Sequence, residues 1–294
     1  MPAGPAPSPS MRPLLAGVAA YVIWGFFPLY FKFVAHIPPL AVVSHRILWS
    51  ALFLLVVVVL GRGGKAIREI FSSRRAVGYL FLTSLLISLN WLVFIRAVER
   101  GEVLQSSLGY FLTPIVNVLL GVLVLGERLR RAQTISLLLA VTGVLIQVAG
   151  VGGVPVTALV LALTFGCYGL IRKVAKVEPI PALTVETVIL FVPALLLLFS
   201  LYRTGVSPIG SGWRDMLLLP LSGVVTAVPL LLFGAATRSL RLATIGFLQY
   251  ITPSLHFLQA VFLYREPFGV AGLTSFLLIW CALIVYSVDA VRHR

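Results

Sequence analysis

Residues 39–61 read PLAVVSHRILWSALFLLVVVVLG, and positions 52–60 carry no polar side-chain atom at all. A run of roughly 20 apolar residues suits a helix crossing a hydrocarbon core of about 30 Å. A membrane β-barrel strand would alternate over about 10 residues, which 52–60 does not. Outward from this stretch, apolar segments recur at 13–34, 76–97, 103–126, 132–149, 154–172, 182–202, 214–236, 242–264 and 267–288, ten spans in all. The 294-residue chain is 60% hydrophobic and 11% charged, with a mean hydropathy of +1.05. Soluble domains run at about 45–50% apolar and about 25% charged, and a polar surface must cover their core. The composition therefore excludes a soluble enzyme and, despite a net charge of +14, a nucleic-acid binder. It predicts an all-α polytopic membrane protein partnered by the bilayer, with no obligate protein partner evident. Residues 1–10, MPAGPAPSPS, are expected to form a disordered tail.

Charge sets the expected topology. With the N-terminus inside, sixteen of the 23 Lys and Arg residues fall in inner segments, including Arg74, Arg75, Arg128, Arg130, Arg131, Arg172 and Lys173. Six fall outside and Arg46 lies within span two. The positive-inside rule then places both termini in the cytoplasm of an inner-membrane protein.

The two halves share a pattern. Leu112-Thr113-Pro114 matches Ile251-Thr252-Pro253 at an offset of 139, which also pairs Glu127 with Glu266, Phe94 with Phe233 and Ala97 with Ala236. An offset of 141 pairs Gly25 with Gly166 and Lys32 with Lys173. The reading is a first repeat over 11–150 and a second over 151–294, each with five spans. An odd number inverts the second repeat, an arrangement typical of secondary transporters with a midplane site for a small-molecule substrate. Pro114 and Pro253 each remove a backbone donor near mid-span and read as a matched pair of hinges.

The stretches YVIWGFFPLYFK (21–32), HRILWS (45–50), ISLNW (87–91), SLGYF (107–111) with Pro114, ERL (127–129), GFLQY (246–250) and REPF (265–268) resemble the RarD-like proteins. These belong to the EamA branch of the drug/metabolite transporter superfamily. The resemblance implies ten helices in two inverted five-helix repeats and export of small metabolites, with amino-acid exporters and proteins named for chloramphenicol sensitivity among similar members. It further implies a pathway lined by spans three, four, eight and nine with one and six. Two positions depart from the pattern: Gln105 stands where relatives often carry an acid, and Thr113 where they carry Asn. The first departure points away from strict proton coupling and towards exchange or facilitated diffusion.

Ionisable groups inside spans are costly and mark function by default. His45 and Arg46 lie about two turns into span two, and Glu186 about one turn into span seven; Arg46 and Glu186 are read foremost as ties between helix ends. Tyr110, Thr113 and Asn117 recur at i, i+3 and i+7, and so do Gln249, Thr252 and His256 at the repeat offset. Each set shares one helical face. With Asn90, these two stripes are the candidate substrate pathway, and Trp24, Trp91 and Tyr168 are its candidate aromatic walls. Amide and hydroxyl groups can hold the ends of a zwitterion without burying a net charge. No phosphate-binding Gly-x-x-x-x-Gly-Lys-Ser/Thr and no His-Glu-x-x-His or Cys-x-x-Cys occurs, so neither a cofactor nor a metal is expected. The sequence predicts an amino-acid exporter working by alternating access, aromatic or large apolar amino acids included. An amphiphilic drug exporter is the alternative, and an intramembrane enzyme or a channel stands further behind.

Overall fold

The computed structural model describes residues 11–61, 63–99, 103–149, 156–205, 209, 212–263 and 269–292. The expected tail 1–10 and the REPF motif with Glu266 lie outside them, as does the Gln105 side chain. The described residues are helical, with short turns between elements and no strand. In chain order the helices are α1 (Met11–Gly25), α2 (Phe27–Phe33), α3 (Pro39–Leu60), α4 (Gly64–Ser72), α5 (Arg74–Glu99), α6 (Val103–Leu123) and α7 (Arg131–Ala149). They continue as α8 (Val156–Ala175), α9 (Pro179–Arg203), α10 (Trp213–Ser239), α11 (Leu242–Gln249), α12 (Ile251–Leu258) and α13 (Val270–Arg292), with a π-helical turn, Gln259–Leu263, following α12.

Among the described residues, eight helical segments are long and apolar enough to cross a membrane, with α1 and α2 counted together as Met11–Phe33. α6 contributes a shorter apolar stretch, Leu108–Leu123. The ninth expected span is not one helix: it breaks at Tyr250 between α11 and α12 and then loosens into the π turn. Pro253 has no N–H for the carbonyl of Gln249, so the turn there lacks its usual bond. α6 stays continuous through Pro114, so the matched prolines do not produce matched breaks.

Local sequence explains the starts and stops. α3 and α9 open with Pro in their first turn, where a missing N–H costs nothing. The chain leaves α6 through Gly126 at φ 66°, a left-handed conformation that favours glycine. Large apolar side chains such as Val59, Leu60, Leu123, Phe199 and Leu196 project outward and are more than half exposed. Water would penalise that surface; lipid solvates it. This is a multi-pass membrane protein.

The helices contact in a regular pattern. α6 packs on α8 as α12 packs on α1; α3 packs on α10 as α9 packs on α5; α1 packs on α10 as α8 packs on α5. α3 with α9, α6 with α11, and α7 with α13 complete it. Glycines allow the closest approaches. A Cβ on Gly25 would stand 2.4 Å from Leu255 Cδ1, and one on Gly166 would stand 2.5 Å from Val116 Cγ1.

The two ends of the bundle differ. At the end where α5, α7, α9 and α11 begin, polar ties are dense. Glu127 accepts from the Leu242 and Ala243 amides at 2.7 and 2.9 Å, capping α11. Lys173 donates to the Leu240 carbonyl, Arg238 pairs with Glu178, and Arg130 Nε donates to Asp289 at 2.8 Å. At the other end, where α2 leads into α3 and α9 leads towards α10, His36 pairs with Asp215 at 3.0 Å and Tyr30 donates to the Leu218 carbonyl at 2.7 Å.

Candidate functional site

A cavity of about 460 Å³ lies inside the bundle. Its wall takes residues from α1 and α2 (Tyr21, Trp24, Phe27, Phe31), α3 (Arg46), α5 (Ile87, Asn90, Trp91, Phe94), α6 (Gly109, Tyr110, Thr113) and α8 (Leu161, Phe165). α10 adds Thr226 and Leu230, and α11 and α12 add Gln249, Thr252, Pro253 and His256. Almost every one lies in the half of its helix farther from the densely tied, basic end. Its size matches pockets that enclose a small organic molecule, about 300–1,000 Å³.

Five pairs of lining residues stand 139 or 141 positions apart: Trp24 with Phe165, Ile87 with Thr226, Trp91 with Leu230, Tyr110 with Gln249, and Thr113 with Thr252. The two halves of the sequence therefore contribute equivalent positions to one wall.

Eight of the ten sequence-derived pathway residues are on this wall: Trp24, Asn90, Trp91, Tyr110, Thr113, Gln249, Thr252 and His256. Asn117 and Tyr168 are fully buried beside it instead. Asn117 Nδ2 donates to Gln249 Oε1 at 2.8 Å. Tyr168 stacks on Phe233, 6.0 Å between ring centroids, each about one turn nearer the basic end of its helix than the lining residues Phe165 and Leu230. Much of the wall's polarity is already satisfied. Asn90 donates to the Leu161 carbonyl at 2.9 Å and to Thr164 Oγ1 at 2.8 Å. Thr113 bonds within α6 to the Gly109 carbonyl, Thr252 donates to the Tyr21 carbonyl, and His256 Nε2 lies 3.2 Å from the Trp24 carbonyl. The polar stripe on α12 thus ties α12 to α1 as well as facing the cavity.

Arg46 faces the cavity rather than serving only as a tie. Its Nε donates to Thr226 Oγ1 at 2.9 Å, and the guanidinium carbon sits 5.1, 5.2 and 5.8 Å from the ring centres of Trp91, Phe31 and Phe27. Glu186 does act as a tie. Thr83 donates to it at 2.6 Å, Tyr168 at 3.2 Å and Arg172 at 3.3 Å, and Glu186 and Arg172 are 2% and 3% exposed at the side chain. This cluster joins α5, α8 and α9 below the cavity. A void of about 10 Å³ beside Glu186 shares Ile87, Trp91, Thr226 and Leu230 with the cavity wall, so only a thin layer separates the two.

The sequence did not single out Tyr21, Phe27, Phe31, Phe165 or Thr226. Part of the signal was present: Trp24, Phe27 and Phe31 with Pro28 recur at i, i+3, i+4 and i+7, a helical stripe. Thr226 carried none beyond its offset of 139 from Ile87.

Comparison with known proteins gives the lineage. A family model, the EamA-like transporter family, matches residues 11–149. Protein RarD of Escherichia coli is 40% identical over 95% of this chain and 94% of its own. An uncharacterized transporter of Pseudomonas aeruginosa is 44% identical over 96% and 95%. The chain is a RarD-like member of the EamA-like transporter family. A second Pseudomonas aeruginosa relative, named chloramphenicol-sensitive protein RarD, is 31% identical over 95% and 94%. A solved crystal structure with 18% identity superposes at a TM-score of 0.73 over 95% of this chain and 98% of the other, showing the same fold. The RarD-like chain is thus a membrane transporter by family, and its cavity is the place to look for its cargo.

Proposed function

We propose that this RarD-like protein is a secondary transporter of the inner membrane that exports small metabolites, amino acids foremost, by alternating access. The observation that carries the reading is a 460 Å³ cavity walled by equivalent positions of both sequence halves. The repeat is inverted in this reading, with residues 11–150 and 151–294 as its units and ten spans in total. The exchange pattern of helix contacts and the paired Gly25–Leu255 and Gly166–Val116 approaches support it. With the basic end in the cytoplasm, the Glu186–Arg172 cluster, the Tyr168–Phe233 stack and the Glu127 cap are the inner barrier. Rocking one unit against the other would open that barrier while closing the cavity's far end. Pro114 and Pro253 each free a backbone carbonyl, and the break at Tyr250 beside Pro253 gives the second unit a place to bend.

The apolar and aromatic lining with a few polar groups suits an amino acid with a large side chain. The same lining suits an amphiphilic drug, and the name of the chloramphenicol-sensitive relative favours testing that second reading. The test is counterflow in proteoliposomes preloaded with unlabelled amino acids. Saturable uptake of the labelled amino acid, stimulated by the internal one, is expected. Uptake that rises linearly and ignores the internal solute would mean a channel.

A further inference from the structure

Among the described residues Arg46 is the one charged side chain on the cavity wall, and it makes no ion pair with a carboxylate. Other arginines held inside or at the rim of the bundle are placed differently: Arg172 meets Glu186, Arg130 meets Asp289 and Arg238 meets Glu178. Glu186, which lines the small void adjoining the cavity, is occupied by Arg172, Tyr168 and Thr83. A lone cation at membrane depth is expensive unless something balances it.

What surrounds Arg46 leaves it aimed rather than quenched. Thr226 takes the Nε proton, while Phe27, Phe31 and Trp91 crowd the guanidinium with their rings. Aromatic contacts hold a guanidinium by attraction of the cation to the ring and consume none of its N–H donors. The terminal Nη groups keep their fork, which matches the two oxygens of a carboxylate. Among the described residues no acid stands on the wall to receive an ammonium group.

We infer that Arg46 is the anchor for a carboxylate on the transported molecule, and that the cavity recognises an apolar or aromatic carboxylic acid by that group, whether or not it also carries an amine. This rests on the cavity being the transport site. It sharpens the substrate class, because the carboxylate becomes the required group and the amine the dispensable one.

Four probes of one shape separate the groups: L-phenylalanine, 3-phenylpropionate, phenethylamine and L-phenylalaninamide. Binding to the full chain in dodecyl maltoside is read by thermal shift. 3-Phenylpropionate and phenylalanine should bind, whereas the amine and the amide should bind at least tenfold more weakly. Arg46→Gln should weaken both acids by roughly tenfold to a hundredfold and should not weaken the amine, whose like charge the guanidinium repels. Arg46→Lys keeps the charge without the fork and should fall between, which holds the test open if the Gln variant folds poorly. Counterflow of labelled phenylalanine by the wild type is measured alongside. Counterflow inhibited equally by amine and acid would overturn the anchor and leave the transporter standing. Acid binding that Arg46→Gln abolishes, without any counterflow, would keep the anchor and remove the transport reading. If neither acid binds, the anchor is overturned whatever the counterflow shows.

Discussion

Asn117 on α6 donates to Gln249 on α11 at 2.8 Å, and Asn117 Oδ1 is buried without a partner among the described residues. This side-chain bond joins the two proline-bearing segments next to the cavity. Gly246, one turn before Gln249, lets α11 approach so closely that a Cβ there would stand 2.6 Å from the Pro114 carbonyl. Interhelical hydrogen bonds in membranes are worth about 0.6–1.7 kcal/mol. Asn117→Leu and Gln249→Leu should each lower the unfolding free energy by that order. The double variant should cost less than the two single ones together, because each single change strands the other amide. A double-mutant cycle in detergent measures the coupling; a coupling of zero would mean the contact carries no energy.

The glycine approaches allow a direct test of the repeat. Gly25→Ala puts a methyl 2.4 Å from Leu255 Cδ1 and 2.8 Å from its Cβ, whereas Gly166→Ala meets Val116 Cγ1 at 2.5 Å but its Cβ only at 3.4 Å. Overpacking costs about 1–3 kcal/mol, and the Gly25 variant should lie nearer the upper figure because a Cβ cannot rotate away. Leu255→Ala should rescue Gly25→Ala, and Val116→Ala should rescue Gly166→Ala. The readout is thermal stability of the four single and two double variants. Rescue in one half alone would argue that the halves are not equivalent.

Much of the fold was legible because a bilayer imposes one simple rule, and long runs such as residues 52–60 obey it. The break at Tyr250 was not legible: Pro114 and Pro253 sit in nearly identical Leu/Ile-Thr-Pro contexts, yet only one segment breaks. The difference lies in tertiary neighbours. α6 is braced by α8 and α11, while Gln259 draws the end of α12 towards the Gly25 carbonyl at 2.6 Å. The site was legible where polar residues repeat between the halves, as at Thr113 and Thr252. It was illegible where one half departs from the other. Arg46 and Glu186 both read as ties, but the structure puts the first on the cavity wall and the second in a closed cluster. Their repeat-related positions are Thr187 and His45, so nothing in the pattern foretold which charge would face inward.

Glu186 and Arg172 form a buried pair, and removing one member of such a pair typically costs about 3–5 kcal/mol by leaving the other charge uncompensated. Glu186→Gln should therefore loosen the basic end and make it accessible. In a chain with Cys167 and Cys281 replaced, a cysteine at Leu183 should react with a cytoplasmic thiol reagent faster in the Glu186→Gln background. Replacing both members, Glu186→Leu with Arg172→Met, should return the labelling rate towards that of the parent. Unchanged labelling in Glu186→Gln would mean that the cluster is not the barrier.

Topology is tested at the C-terminus. Arg130, Arg172, Lys173, Arg238 and Arg241 gather at the end of the bundle that also holds the end of α13. The positive-inside rule predicts that this end faces the cytoplasm. A reporter fused after residue 294 should be active only if it works in the cytoplasm, and an active periplasmic reporter at that position would overturn the assigned orientation of the cavity.

The prolines give the mechanistic test. Replacing Pro253 by Ala restores an N–H that can bond the Gln249 carbonyl, and replacing Pro114 does the same for Tyr110. Each restored bond is worth about 0.5–1.5 kcal/mol, and 1.4 kcal/mol is about tenfold in an equilibrium. The two changes act on different local structures. Around Pro253 the segment is already broken at Tyr250, so the new bond favours straightening a bend that exists. Around Pro114 the helix is continuous and its carbonyl is packed against Gly246, so the new bond reinforces a geometry already held. Pro253→Ala should slow counterflow severalfold with little change in substrate affinity, and Pro114→Ala should slow it less than twofold. Sidedness of cysteine labelling should shift with Pro253→Ala, because Pro253 lines the cavity beside the break at Tyr250, and should barely move with Pro114→Ala. Equal slowing by both variants would show that transport needs a matching bend in α6 that this conformation does not display. Normal rates in both would reduce the prolines to packing features, and the moving part would then have to be sought in the Glu186 cluster.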